Sequence, residues 1–460
     1  MGNALGTSDR PLRVAIVGSG PSGFYAAESL LTAAIKVKVD MFDRLPTPFG
    51  LVRYGVAPDH PKIKNVVKVY EKIAAHESFS FFGNVSVGQD ISVGDLKKFY
   101  DAVIFACGAG TDKPLGVPGE HLPGSHTATE FVAWYNGHPD YRDRKFDLSG
   151  KVAVVIGQGN VSMDVSRILC KSVDELRNTD IAKHALKALA ESKIKEVHLI
   201  GRRGPVQAAF TPPEIKEFVE LKECDPILDP QYLNINPESQ AELADPNSTI
   251  RARNWEILKE IAACSPANNP KRFVIHFLKS PVVLLGEKKL EKVVLEKNEL
   301  TGPAGKQTAR GTGIKEELAC GILFRSVGYR GVPIPGVPFH EQKGIIANLD
   351  GRVVDNEKVV PGLYAVGWIK RGPSGVIGTN KADSAATVER LLADVPNLEA
   401  CQHPDTQAVS DFFKTKKVRV VSFNDWQKID AAEIERGKAL GKPREKFIRV
   451  EEMLGVLEEN

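Results

Sequence analysis

Apolar and polar positions along the chain follow the same order twice. Residues 13–31, RVAIVGSGPSGFYAAESLL, open with an apolar β-branched run, break at a glycine cluster and continue with the three-to-four spacing of an amphipathic helix. Residues 151–169, KVAVVIGQGNVSMDVSRIL, repeat that order. Each pattern predicts a buried strand, a tight turn and a helix. A second strand pattern follows each unit: KVKVDMFD, ending at Asp43, and KEVHLIG, which arrives late because a helical stretch around DELRNTDIAKHALKALAESK intervenes. A further strand is predicted in YDAVIFACGAG, residues 100–110. Another, with a glycine-rich turn and a helix after it, lies in PGLYAVGWIKRGPSGVIGTNKADSAATVERLL. Residues 225–312 carry short strand-like runs, RFVIHFLK and KKLEKVVLEK, that suit a hairpin. PFGLVRYGVAPDHPKIKN, residues 48–65, fits neither period and reads as irregular backbone fixed by Pro48, Gly50, Gly55 and Pro58.

The glycines turn these patterns into chemistry. In Gly18-Ser19-Gly20-Pro21-Ser22-Gly23 the first glycine permits the tight turn, the second lets backbone amides approach a pyrophosphate, and the third lets the helix lie close to its strand. The phosphates then sit at the positive end of a helix. Asp43, at the end of the next strand, is placed to accept hydrogen bonds from a ribose 2'-hydroxyl. The second unit has Gly157 and Gly159, with Ser162 where a third small residue is expected. Its following strand ends in Gly201-Arg202-Arg203-Gly204 instead of an acid. Paired guanidiniums suit a 2'-phosphate, which an acid would repel. An acid-ended site suits FAD and an arginine-ended site suits NADP(H), so a hydride can pass between two cofactors on one chain.

These units predict an α/β protein with two Rossmann-like dinucleotide-binding domains. The FAD-binding domain is discontinuous, at residues 1–108 and 331–460, with an NADP-binding domain at 109–330 inserted into it.

At 460 residues the length suits several domains of ordinary size. Lys and Arg number 61 against 58 Asp and Glu, a balance that argues against a dedicated nucleic-acid binder while leaving room for a local basic patch. Cys107, Cys170, Cys224, Cys264, Cys320 and Cys401 form no C-x-x-C pair. That argues against structural zinc, bound iron-sulphur clusters and a redox dithiol, and leaves reduced, buried thiols. No stretch approaches the roughly 18 apolar residues of a spanning helix, so the expected protein is soluble or at most peripheral to a membrane. The start, MGNALGTSDRPL, is too short and polar for a signal or transit peptide and has Gly6 where myristoylation needs Ser or Thr.

Taken in order, GSGPSGFYAA, PFGLVRYGVAPDHPKIKNV, GQGNVSMDVSRIL, GRRGPVQAAFT and GWIKRGPSGVIGTNKADS resemble the adrenodoxin reductases, ferredoxin-NADP reductases with a glutathione-reductase-like fold. The likeness runs from about residue 13 to 455, and VVSFNDWQKIDAAEIERGKALGKPREK is most similar to the mitochondrial members. The resemblance implies FAD contacts at Ser22, Asp43, Leu51, Val87, Trp368 and Gly375-Val376-Ile377. It implies NADP contacts at Gln158, Gly159, Asn160, Val161, Arg202, Arg203, Glu214 and Gly375. The family usually carries Glu where this chain has Asp43, which keeps the charge on a shorter arm. It places residues 48–65 against the flavin, with His60 and Asp164 near it. His60 then either relays a proton or braces its loop, and Asp164 either supports it or complements its helix dipole.

The activity implied is NADPH:ferredoxin oxidoreduction, with single electrons leaving to an acidic [2Fe-2S] ferredoxin steered by a basic surface, for which Arg251 and Arg253 are candidates. The resemblance implies the mitochondrial matrix, or the cytoplasm for a bacterial source. Competing readings are a dithiol flavoprotein, which lacks its C-x-x-C here, a flavin-dependent NADPH oxidase or monooxygenase, and a redox-sensing module that binds nucleotides without turnover.

Overall fold

The computed structural model describes residues 5–458, so the first four residues of the N-terminal stretch lie outside it. The first apolar run is the strand Leu12–Val17, buried at every position. It pairs in parallel with Val37–Phe42, Leu12 opposite Val37 and Val17 opposite Phe42, and on its other side with Ala102–Phe105. Alternate side chains of a strand point to opposite faces, so such a run needs apolar cover on both. Val14 and Ile16 pack with Phe24 and Leu30 of the helix Pro21–Leu31 and with Val388 and Leu391 of Thr379–Asp394. Ala15 and Val17 pack on the opposite side with Leu96, Phe99 and Phe413. Each buried Val, Ile, Leu or Phe side chain among them contributes about 1.5–3 kcal/mol by leaving water.

Seven strands complete this sheet, in the order Asn348–Leu349, Arg352–Asp355, Lys358–Ala365, Ala102–Phe105, Leu12–Val17, Val37–Phe42, Phe79–Phe82. A second, six-stranded sheet is parallel throughout, in the order Ser125–Thr127, Ile322–Arg325, Val152–Ile156, Glu196–Ile200, Lys271–His276, Cys224–Leu228. The second sheet's strands therefore lie in sequence between Phe105 and Asn348 of the first.

Three local readings change. RFVIHF is not half of a hairpin but the parallel strand Lys271–His276, while KKLEKVVLEK supplies the middle strand, Lys292–Thr301, of a three-stranded antiparallel sheet. Residues 48–65 contain two helices of about one turn, Gly50–Tyr54 and Pro61–Lys64, too short to leave a period in the sequence. The cysteines are all free thiols, but Cys107 and Cys264 are exposed, each at the end of an element instead of inside one. Among the described residues no helix is long and apolar enough to cross a membrane.

Candidate functional site

At the first turn, Gly18 has φ +110°, and a Cβ there would lie 2.5 Å from the carbonyl oxygen of Ala106. A Cβ at Gly23 would lie 2.2 Å from the oxygen of Gly18, so helix and strand approach as closely as backbone allows. Gly20 differs: it caps the helix Pro21–Leu31, and nothing stands within 4 Å of where its Cβ would go. Open backbone at the positive end of a helix is a cradle for phosphate. Asp43 follows the strand Val37–Phe42, and its carboxylate accepts from the Ser19 amide at 3.1 Å and the Leu45 amide at 3.0 Å. Burial pushes the pKa of Asp43 up against the pull of these donors.

Around this turn, Ser22 Oγ bonds Asn380 Oδ1 at 3.0 Å, beneath Gly367. Trp368 donates from Nε1 to Ser374 O at 3.2 Å, and its ring centre is 5.2 Å from that of Tyr329. Leu51 and Val376 are apolar yet 40% and 62% exposed, surface that a flat ring can cover. Ile377 packs on the core beside the helix Pro21–Leu31, and Val87 on the opposite core. These residues fit FAD: an open amide cradle, an acid at the end of the next strand and uncovered apolar surface.

The second turn opens on a cavity of about 900 Å³ that extends to Trp368, Gly375 and Val376. Its walls include Gln158, Gly159, Asn160 and Val161 of the turn. Gly159 caps the helix Asn160–Cys170 and, like Gly20, has open space at its Cβ position. Gln158 donates to His276 O at 3.2 Å, and Asn160 Oδ1 accepts from the Thr211 amide at 2.9 Å, which fixes the turn. Four cations line the cavity, Lys113, Arg202, Arg203 and Lys279, and none of the described lining residues is an acid. Burial and then the neighbouring Arg202 lower the pKa of Arg203, a cost that a bound anion relieves. The residues therefore fit a nucleotide with several phosphates, NADP(H) included.

His60, Asp164 and Glu214 lie in a separate charged cluster where residues 59 and 60 meet the helices Asn160–Cys170 and Pro212–Glu220. His60 Nε2 is 2.9 Å from Glu217 Oε1, and Nδ1 is 3.9 Å from Asp164 Oδ1. Arg167, on the same helix as Asp164 and wholly buried, contacts Asp59 at 2.8 Å, Asp164 at 2.6 Å, Glu214 at 3.1 Å and Glu217 at 3.0 Å. Burial opposes the charge on Asp59, yet the bonds from Arg167 and Lys171 hold its pKa well below the usual carboxylate range. Burial, the largest influence, opposes protonation of His60, but the bond to Glu217 together with the charges of Asp164 and Asp59 carries the pKa up. Glu214 is pushed up to about 7 by burial, then by Asp164. Asp59, His60 and Glu217 have ligand-like spacing, as do His60, Asp164 and Glu214, but the guanidinium already occupies the centre of both sets.

The structure thus brings Gln158 to Val161, Arg202, Arg203, Trp368, Gly375 and Val376 to one cavity. Glu214 points into the Arg167 cluster and is not among the cavity's lining residues. Arg251 and Arg253 stand apart on the helix Thr249–Ala263, Arg251 4.0 Å from Glu242 and Arg253 exposed. Sequence reasoning missed Lys113, Lys279, Arg167, Asp59 and Glu217. The first two come from strands and loops remote in sequence. Asp59 and Glu217 neighbour His60 and Lys216 in the chain, where a charge alone reads as a solvated face.

The family model for pyridine nucleotide-disulphide oxidoreductases matches residues 12–222. NADPH-ferredoxin reductase FprA of Mycobacterium tuberculosis is 46% identical, over 97% of this chain and 99% of its own length. The mitochondrial NADPH:adrenodoxin oxidoreductase of Arabidopsis thaliana is 43% identical, over 97% and 95%. The solved structure of Mycobacterium tuberculosis FprA in complex with NADPH superposes with a TM-score of 0.92, covering 97% of this chain and 99% of that one.

Proposed function

The chain belongs to the family of NADPH-ferredoxin and NADPH:adrenodoxin oxidoreductases, and on that footing we propose that it draws electrons from NADPH through FAD and delivers them to a ferredoxin. The observation that carries this reading is the cavity of about 900 Å³, cationic at Arg202 and Arg203 and lacking any acid among its described lining residues, whose far end is Trp368, Gly375 and Val376. FAD, when bound, supplies the two-electron to one-electron conversion.

The chain's residues do the rest. The open amides at Gly20 and the acid of Asp43 hold the flavin nucleotide, and the amides at Gly159 with Arg202 and Arg203 hold the other. Val87 and Ile377 shape the packing behind the first site, and Leu51, Trp368 and Val376 offer the surfaces against which a ring lies. His60 Nε2 exchanges a proton with Glu217 Oε1, a partly exposed carboxylate that opens to solvent, while Asp164 faces Nδ1. Glu214 sets the charge around Arg167.

The partner we favour is a [2Fe-2S] ferredoxin with an acidic face, met by the half-buried Arg251 and the exposed Arg253. The matrix is the matching compartment for a eukaryotic source and the cytoplasm for a bacterial one. Reduction of cytochrome c by NADPH, with and without added ferredoxin, tests the proposal. A ferredoxin-dependent rate supports it; equal rates in both arms refute the partner.

A further inference from the structure

The segment Lys442–Phe447 lies across the junction of the two sheets. On one side, Lys442 Nζ donates to Ile181 O at 2.5 Å, and Glu445 accepts from the Lys183 amide at 3.1 Å. On the other, the Glu445 amide donates to Glu433 O and the Phe447 amide to Glu433 Oε1, both at 2.9 Å. Glu433 sits on the helix Phe423–Lys438 and takes both guanidinium arms of Arg53, at 2.9 and 2.6 Å.

Lys446 stands at the centre and is buried. Its ammonium has three N–H groups. They reach Arg53 O at 3.2 Å, Asn136 O at 3.1 Å and Asp180 Oδ2 at 3.1 Å. Each acceptor belongs to a different stretch of chain. Arg53 lies on the helix Gly50–Tyr54, whose first residue packs so close to Gly20 that a Cβ there would be 3.0 Å from the Gly20 Cα. Asn136 caps the helix Ala128–Tyr135, which runs directly from the edge strand of the second sheet. Asp180 also holds Lys64, at 2.7 Å to both oxygens, from the helix Pro61–Lys64 that His60 caps.

Burial lowers the pKa of Lys446 to about 7 against the pull of Asp180; in the protonated form all three donors are used, so the group is directional as well as charged and fixes where its acceptors stand. We propose that Lys446 is a positioning residue for electron entry: it sets the angle between the two sheets, and so the distance from the Arg202 end of the cavity to the flavin turn at Gly20. Two rings must meet within a near-attack geometry, and small displacements there are costly in rate. The rate part of this inference rests on the proposed function; the junction part does not.

The test uses the flavin-loaded Lys446→Met protein. Hydrogen exchange without NADPH is expected to show lost protection at the amides of Gly55, Val56, Gly137 and His138, with the helix Pro21–Leu31 unchanged. Rapid mixing with NADPH is expected to show flavin bleaching slowed by about 10- to 100-fold, with NADPH affinity within about two-fold of the parent. Asp180→Asn, which keeps shape and removes the charge, is expected to move both readings in the same direction and decides alone if Lys446→Met does not hold flavin. Unchanged exchange at the four amides, or loss spread evenly over both sheets, overturns the junction claim. Intact exchange effects with an unchanged bleaching rate overturn the positioning claim. A parent protein that NADPH does not bleach sinks the proposed function instead, while the exchange result still judges the junction.

Discussion

Arg167 and Asp59 form a two-pronged pair, Nε to Oδ2 at 2.8 Å and Nη2 to Oδ1 at 3.0 Å, that joins the helix of the second nucleotide turn to the loop carrying His60. One guanidinium also holds Asp164, Glu214 and Glu217, so the charge state around His60 is shared among five groups. Residues of both nucleotide-binding units therefore titrate together, and variants there should be read as changes to a network.

Glu214 gives the pH dependence a sign. Its pKa is raised from 4.5 to about 7 in the fold, so the folded state holds a proton that the unfolded state has released. The associated stability is present below about pH 4.5 and is lost as pH rises through about 7. Glu214→Gln should remove that loss, amounting to a few kcal/mol at most. Thermal unfolding of parent and variant at pH 5 and pH 8 checks it: the gap between the two pH values should narrow in the variant, and an equal gap would place the proton elsewhere.

On the proposed function, the arginine pair should set nucleotide preference. Arg202→Gln with Arg203→Gln should weaken NADPH far more than NADH, by about 1.5–3 kcal/mol per lost charged hydrogen bond. The ratio of kcat/KM values for the two nucleotides reads this directly. Equal losses for both would remove the 2'-phosphate from this strand end.

The two open glycines separate the two sites. Gly20→Ala and Gly159→Ala place a methyl group where the fold has room, so both proteins should fold. Gly20→Ala should lower flavin content, whereas Gly159→Ala should keep flavin and raise the KM for NADPH. Absorbance of the purified proteins and NADPH titration distinguish them; loss of flavin from both would mean that the cradles are not independent.

His60→Gln should retain flavin and remove one ionisation from the pH profile of flavin reduction, because the amide keeps a contact with Glu217 but neither gains nor loses a proton in this pH range. A profile identical to the parent at every pH would leave His60 as a brace for its loop.

Much of this architecture is legible along the chain because the signals are local. Gly18 and Gly157 announce sharp turns, and both have positive φ, +110° and +126°. Asp43 follows its strand directly and Arg202 comes one glycine after its own, so the positions of these charges can be read from spacing alone. What escaped is assembled over distance. Lys279 reaches the cavity because Lys271–His276 pairs beside Glu196–Ile200 and returns the chain to Gly201, whose carbonyl accepts from the Lys279 amide at 3.0 Å. Lys446 meets Arg53 and Asn136 only once both sheets are in place, and no periodicity records such a meeting. The helices Gly50–Tyr54 and Pro61–Lys64 were hidden for the opposite reason: each is shorter than the window over which a helical period exists.

The most direct test is the visible spectrum of the purified protein during anaerobic addition of one equivalent of NADPH, followed by oxidised ferredoxin. The expected result is a yellow protein whose flavin absorbance bleaches with NADPH, bleaches far less with NADH at the same concentration, and returns when ferredoxin is added. A folded protein that takes up no flavin, or whose colour NADPH leaves untouched, would contradict it.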